Sequence, residues 1–193
     1  FRYSVRQNER ALSDRTQSLL PFLDMNVYAS WRCGEGYEIV SVDEFPPDLV
    51  QEQAKKYFAT DYPMMPKHHG LDEMGVQRLR ALKRNLSQQF TLKLGVLHKG
   101  QLVGWTDGWQ DSIEQDTFFM GASLIVPAHR RKGLYSTMVK KVIDLTREKG
   151  FRSISSLHVM TNNPVIIGKL KMDFHIYGFE VNTRYGALVR LVY

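Results

Sequence analysis

Hydrophobic residues follow two different periods along the chain, and the pattern is clearest from residue 36 onwards. Alternation of apolar and polar residues, or short apolar runs between turn signals, is typical of strands. The predicted strands are 37–42, 90–96, 101–109, 117–126, 151–159, 175–181 and 185–193.

Helical spacing appears between several of these strands. Pro46-Pro47-Asp48 is a helix start signal that precedes apolar residues at helical spacing up to residue 58. A further helix is predicted after Gly70, and a longer one covers 134–149 and ends at Gly150. Together with the strands, these helices predict a mixed α/β fold.

The strand at 117–126 is apolar on both faces, which favours a central position in the sheet. The strand–helix–strand order from 117 to 159 predicts a parallel crossover, whereas the short turns elsewhere predict antiparallel neighbours. We therefore expect an α/β (α+β) domain over 36–193, built on a mixed, mostly antiparallel sheet of about seven strands with helices on both faces. Residues 1–35 are predicted to be an N-terminal extension packed on this domain, with a short strand at 26–31.

Composition limits the classes of function. The chain has 193 residues, of which 43% are hydrophobic, and its formal net charge is +6, which favours an anionic partner. Its one cysteine, Cys33, excludes an internal disulfide and indicates a reducing compartment, so we expect a cytoplasmic protein. No apolar run approaches the ~20 residues that span a bilayer, so no membrane partner is expected.

A basic turn follows the strand at 117–126. Arg130, Arg131, Lys132 and Gly133 lie directly before the predicted helix. A helix start leaves backbone N–H groups unpaired and carries partial positive charge, so this turn predicts a phosphate site. The alternative is a purely structural turn, which one glycine in a basic helix start also fits.

This turn resembles the coenzyme-A pyrophosphate loop of the GNAT superfamily of N-acetyltransferases. The family's signature at the end of a strand is Arg/Gln-x-x-Gly-x-Gly/Ala. Arg130 and Gly133 occupy the first two fixed positions, and Tyr135 stands where the family has a small residue.

A second stretch resembles the same family. GNAT enzymes place an Asn after the fifth strand, a Tyr seven residues later, and then a Gly-Phe pair. With Asn162 as the Asn, Lys169 falls at the Tyr position, and Asp173 and Phe174 fall at the Gly-Phe pair. The spacing matches, although Lys169 and Asp173 are not the family's residue types. The resemblance covers roughly residues 36–193.

The resemblance implies a sheet that is splayed between the fourth and fifth predicted strands, with coenzyme A in the gap. It also implies direct transfer of an acetyl group from acetyl-CoA, the acyl-donor substrate, to a primary amine. The pantetheine would pair with backbone near 123–126 and the pyrophosphate would lie on the N–H groups of 131–136. The implied cofactor-binding residues are Ser123, Leu124, Ile125, Val126, Arg130, Arg131, Lys132, Gly133, Leu134, Tyr135, Ser136 and Asn162.

Catalytic residues are harder to predict. His158 is the first candidate for the general base, because it shares a strand face with Ser156 and its imidazole titrates near neutral pH. Tyr135 and Lys169 are the other catalytic candidates: Tyr135 is near the thioester path in sequence, and Lys169 would stabilise thiolate or contact phosphate. The ordinary interpretation of Lys169, which we adopt, is an exposed helix lysine.

The acceptor site is predicted from the proline-bounded segment 61–70. Tyr62 and Met65 suit the lining of a pocket, and His68 suits its rim. The alternative is that Tyr62 and Met65 fill the base of the sheet, with His68 in water. Asp107 is a further substrate-binding candidate and, like Asp111, a weaker candidate for the base; both also fit ordinary turn residues. A metal site at the histidines is not expected, because too few ligands are near in sequence.

Two other classes of function stay open. The fold would also suit a non-catalytic module that binds coenzyme A or an acidic partner, and the absence of the family's Tyr favours that interpretation. Nucleic-acid binding depends on charge alone, because basic and aromatic residues are not interleaved on a strand pair. A homodimer stays open as well.

Overall fold

The computed structural model describes residues 25–58, 72–75, 77–78, 89–182 and 185–193. Its strands are β1 (Val27–Arg32), β2 (Tyr37–Val42), β3 (Thr91–His98), β4 (Gln101–Gln110), β5 (Thr117–Ile125), β6 (Ser153–Val159), β7 (His175–Asn182) and β8 (Gly186–Val192). Its helices are α1 (Pro47–Tyr57), α2 (Leu134–Glu148) and α3 (Asn163–Leu170), with a short 3-10 helix at Pro127–His129.

The strands form one sheet in the order β1-β2-β3-β4-β5-β6-β8-β7. Neighbours are antiparallel except for β5 and β6, which are parallel and are connected by α2. The predicted mixed, mostly antiparallel sheet is confirmed, with β5 inside it as expected. Within the described residues the sheet has eight strands, one more than the predicted seven, because β1 also pairs with β2. β1 contains most of the short strand that we predicted at 26–31.

Helices cover both faces of the sheet. α2 buries Met138, Val139 and Val142 in a core cluster that extends over the strands. α1 packs against a second cluster, where the Gln53 amide bridges the Leu102 carbonyl and the Trp105 indole N–H. Among the helices that the structure describes, none is long and apolar enough to span a membrane.

The parallel pairing of β5 and β6 is short. It comprises four register pairs, from Thr117–Ser153 to Met120–Ser156. Beyond Met120, β5 continues to Ile125 while bonded to β4, and beyond Ser156, β6 continues to Val159 while bonded to β8. The pairing between the two strands therefore ends at Met120 and Ser156, as the implied splay requires, and the region between their unpaired halves is termed the gap.

Candidate active site

The basic turn lies at the end of β5 and leads into α2. Gly133 precedes the helix with a left-handed backbone (φ 74°), and Arg131 is also left-handed (φ 62°). The first backbone bond of α2 runs from the Thr137 N–H to the Gly133 carbonyl, and no side chain of the described residues caps the helix. The N–H groups of the first helical turn are therefore available to an anion.

The basic side chains of the turn have different surroundings, although all are exposed. The Arg130 Nε donates to the Ile125 carbonyl at 2.8 Å and so ties the turn to the end of β5. The Lys132 Nζ lies 3.3 Å from a Glu35 carboxylate oxygen and 5.6 Å from the centre of the Tyr37 ring. The turn therefore places positive charge beside the open start of α2, although Glu35 offsets that of Lys132.

The far half of β5 has one edge that pairs with β4 and one edge without a strand partner. Asp107 of β4 accepts the Ala122 N–H at 2.8 Å, and the Ile125 carbonyl points the other way, to Arg130. Because successive strand residues direct their backbone groups to opposite edges, Ser123 and Ile125 face the gap between β5 and β6. This gap edge is the one that we predicted to pair with pantetheine.

Asp107 is held inside the sheet by the bond to Ala122, at a register shift between Thr106 and Gly108. Burial raises the pKa of its carboxyl group. Asp111 lies instead in the turn after β4, where its carboxylate accepts the N–H groups of Ile113 and Glu114. The turn interpretation is therefore confirmed for Asp111, and substrate binding by Asp107 stays a prediction.

Lys169 is fully buried, with 0% of its surface exposed, so the interpretation as an exposed helix lysine is wrong. Its Nζ donates to the Ser156 Oγ at 2.7 Å, lies 3.4 Å from the Met120 Sδ, and sits 4.4 Å from the centre of the Phe174 ring. Met120 and Ser156 are the last pair before the strands diverge, so Lys169 lies at the vertex of the gap. Burial lowers the pKa of Lys169 to about 7.

His158 lies two residues further along β6 and is half-buried. Its Nε2 is 3.1 Å from the Ser156 Oγ, which confirms that the two side chains share a face. Burial, and secondly the charge of Lys169, lower the pKa of His158 to about 3. The ring is therefore neutral at neutral pH, and the same shift makes it a weaker base than an ordinary imidazole.

At one position of the second motif, the backbone suits the family's residue type although this chain has another. Asn162 is exposed and directly precedes α3, and Phe174 is buried with 1% of its surface exposed. Asp173, at the family's glycine position, has a φ of 65°, which is the left-handed conformation that favours glycine. This conformation would suit the glycine that the family has at this position.

The Tyr135 side chain packs against the main core cluster from the first turn of α2. Its hydroxyl is buried and has no hydrogen-bond partner among the described residues. Burial raises the pKa of the phenol well above its usual range, so it keeps its proton at neutral pH. A catalytic role for Tyr135 stays a prediction.

Three predicted substrate residues, Tyr62, Met65 and His68, lie outside the described residues. Sequence reasoning missed Met120, and it missed that Lys169 joins Ser156 and His158. The spacing of apolar residues did not indicate these contacts, because it places Lys169 at a polar position of a short helix. The only signal was the family's motif, which puts a functional residue at that position.

Comparison with known proteins identifies the architecture. The profile of the acetyltransferase (GNAT) family matches residues 51–174. The fold is similar to mutant forms of the spermidine/spermine N-acetyltransferase from Vibrio cholerae, with TM-score 0.59 and 12% identity over 83% of this chain and 94% of that chain. A protein described as a probable acetyltransferase gives TM-score 0.58 and 14% identity over 86% and 96% of the two chains. No curated protein matches the sequence. Identities this low show a shared fold alone.

Proposed function

The chain belongs to the GNAT family of acetyltransferases, and from this we propose that it transfers an acetyl group directly from acetyl-CoA to a primary amine. The observation that carries the proposal is the position of an open strand edge beside an uncapped helix start. The open edge is β5 after Met120, and the uncapped helix is α2.

The residues at the gap suit coenzyme A chemically. Pantetheine has amide groups, which would pair with backbone groups on a strand edge such as those of Ser123; the Ile125 carbonyl on the same edge is already bonded to Arg130. Its pyrophosphate needs N–H donors and positive charge, which the start of α2 and Arg131 supply. A Cβ added to Gly133 would have no atom within 4 Å, so the space beside the turn is open for the phosphates.

The chemistry of the proposed reaction requires a base and an acid. The amine nitrogen attacks the thioester carbonyl, the C–N bond forms, and the C–S bond breaks to release the thiol. His158 is the proposed base, because its imidazole is neutral and half-buried beside the gap. Lys169 and Tyr135 are the groups proposed to supply a proton or hydrogen bond to the leaving sulfur.

The acceptor amine is proposed to bind opposite coenzyme A, near Asp107 and the segment 61–70. A structural relative carries the name spermidine/spermine N-acetyltransferase, so polyamines belong in a substrate panel. The formal net charge of +6 opposes a polycationic acceptor, which favours amines of lower charge or an amine on a peptide.

The proposal is tested by two measurements on the whole chain. Calorimetry should detect acetyl-CoA binding, and a thiol-release assay over small amines, polyamines and peptide amines should find an acceptor. Binding without turnover on the whole panel would favour the non-catalytic module. Absence of acetyl-CoA binding would reject the proposed function.

A further inference from the structure

Three side chains form a continuous hydrogen-bonded chain at the vertex of the gap. The Lys169 Nζ is 2.7 Å from the Ser156 Oγ, which in turn is 3.1 Å from the His158 Nε2. The two inner members are almost completely enclosed, since Lys169 is 0% exposed and Ser156 is 1% exposed. His158 is the member with a partly exposed surface, so the chain has one end in the core and one end facing out.

The charge of Lys169 decides the direction in which this chain donates. A protonated Lys169 has only donors, so it donates to Ser156, whose hydroxyl then donates to the His158 Nε2. In that state the neutral imidazole carries its hydrogen on Nδ1 and cannot accept a proton there. A neutral Lys169 has a lone pair, so the chain is able to reverse: Nε2–H donates to Ser156, Ser156 donates to Lys169, and Nδ1 is left with a free lone pair.

The His158 Nδ1 has no hydrogen-bond partner within the described part of the chain, which leaves it for a substrate. From this arrangement we infer that Ser156 relays a proton from His158 to Lys169, so that the three side chains act as one proton acceptor for the amine. The inference rests on the proposed function for the identity of the reaction. It assigns a role to Ser156, which neither the family's motif nor the resemblance marks.

The relay step balances. As the amine nitrogen bonds to the carbonyl carbon, its proton passes to the His158 Nδ1. The Nε2 proton passes to the Ser156 Oγ, and the Ser156 hydroxyl proton passes to the Lys169 Nζ. When the C–S bond breaks, the thiolate needs one proton, and the same chain returns the proton that Lys169 holds. No proton is gained or lost overall.

The electrostatic surroundings of Lys169 support this sequence. Burial lowers the pKa of Lys169 to about 7, so both of its states are accessible near neutral pH. Burial first, and the charge of Lys169 second, lower the pKa of His158, so a neutral Lys169 removes the smaller of the two effects and makes His158 a better base. Two ionisable groups on neighbouring elements do not compete for this proton. Arg190 of β8 forms an ion pair with Glu180 of β7, and the raised pKa of Tyr135 of α2 keeps its phenol neutral.

Ser155 offers a matched control for Ser156. It is the preceding residue of β6, is equally buried, and has an Oγ without a partner among the described residues. Adjacent strand residues point to opposite faces, so Ser155 lies on the other side of the sheet. Removing its hydroxyl changes the same strand without touching the hydrogen-bonded chain.

The first test is the pH dependence of kcat/KM from pH 5.5 to 9 for an acceptor found in the amine panel. In the wild type, kcat/KM should rise with pH through about pH 7 as Lys169 becomes neutral. Ser156→Ala should lower kcat/KM about 10²-fold and lose this rise, whereas Ser155→Ala should keep both. A Ser156→Ala variant with the wild-type rate and profile would overturn the relay.

The second test needs no activity. The second readout is the NMR chemical shift of the 15N-labelled histidine rings, with the His158 signals assigned by their loss in His158→Gln. The His158 shifts should change near pH 7 in the wild type and in Ser155→Ala. The response should disappear in Lys169→Met and weaken in Ser156→Ala. If His158 does not respond near pH 7 in the wild type, the relay is wrong. If the wild type binds no acetyl-CoA, the proposed function fails by itself and the titration still decides the coupling.

Discussion

Gly133 and Gly150 bound the same helix, α2, and both have a left-handed backbone, with φ of 74° and 90°. Neither has any atom within 4 Å of an added Cβ. A side chain would therefore strain the backbone similarly at either end, by roughly 1–2 kcal/mol. Only Gly133 lies at the end of α2 where coenzyme A is proposed to bind.

Gly133→Val should therefore weaken acetyl-CoA binding by more than about tenfold, because the side chain fills the proposed phosphate space. Gly150→Val should bind acetyl-CoA as the wild type does, with a similar loss of melting temperature. Calorimetry on both variants separates blocked binding from strain. Unchanged affinity in Gly133→Val would place coenzyme A elsewhere.

Lys169→Met should stabilise the protein by about 1–4 kcal/mol at pH 7, because it removes a buried group that is costly to charge. The pKa of Lys169 falls from 10.5 in the unfolded chain to about 7 in the fold. Between these values the unfolded chain binds more protons, so the wild type's free energy of unfolding should rise with pH from about 7 to 10.5. Chemical denaturation at several pH values in this range should show the free energy of unfolding rising with pH in the wild type and rising less in Lys169→Met. Equal slopes would mean that Lys169 titrates normally.

His158→Ala should lower turnover about 10²–10⁴-fold, because it removes the proposed base. Acetyl-CoA affinity should stay nearly intact, since His158 lies on β6, away from the basic turn. Steady-state kinetics from pH 6 to 9, with calorimetry beside them, check both points. A wild-type rate across that range would shift the base to Asp107 or to water.

Asp107→Asn should leave stability unchanged or slightly raised at pH 7. The amide oxygen still accepts the Ala122 N–H, and the buried charge is gone, which matters because burial raises the pKa of Asp107. If Asp107 also binds the acceptor amine, the acceptor's KM should rise while acetyl-CoA affinity is kept. Unchanged acceptor kinetics would leave Asp107 with a structural role alone.

Asp173→Gly should stabilise the fold by about 1 kcal/mol, because glycine adopts the φ of 65° without strain. Chemical denaturation measures the difference. Gly168→Ala in α3 is a useful comparison, since that position has no positive φ and no atom within 4 Å of an added Cβ. A loss of stability in Asp173→Gly would show that the carboxylate contributes more than its backbone costs.

Much of the sheet could be predicted because its signals are local. The apolar run at 117–126, the glycine turn and the helical spacing after it lie next to one another in sequence, and the structure places them as β5, the basic turn and α2. The edge strand β1 was only a weak signal, because exposed strands lack the buried side that makes alternation visible.

The chemistry at the vertex of the gap could be predicted only in part. His158 and Ser156 share a face because of the two-residue period of one strand. Lys169 reaches Ser156 from a separate helix, and Met120 from a strand earlier in the chain. No local pattern reports such contacts, and a lysine in a short helix is ordinarily solvated.

The short β5–β6 pairing divides the sheet into two leaves, β1–β5 and β6–β8, whose strands are bonded to each other over only four register pairs. A molecule that forms hydrogen bonds to both sides of the gap would link the two parts of the sheet. Its binding would then stabilise the fold as well as serve the reaction. At a concentration of 100 Kd such a ligand would add about 2.7 kcal/mol to the free energy of unfolding. If acetyl-CoA binds there as proposed, its concentration would raise the free energy of unfolding even without an acceptor.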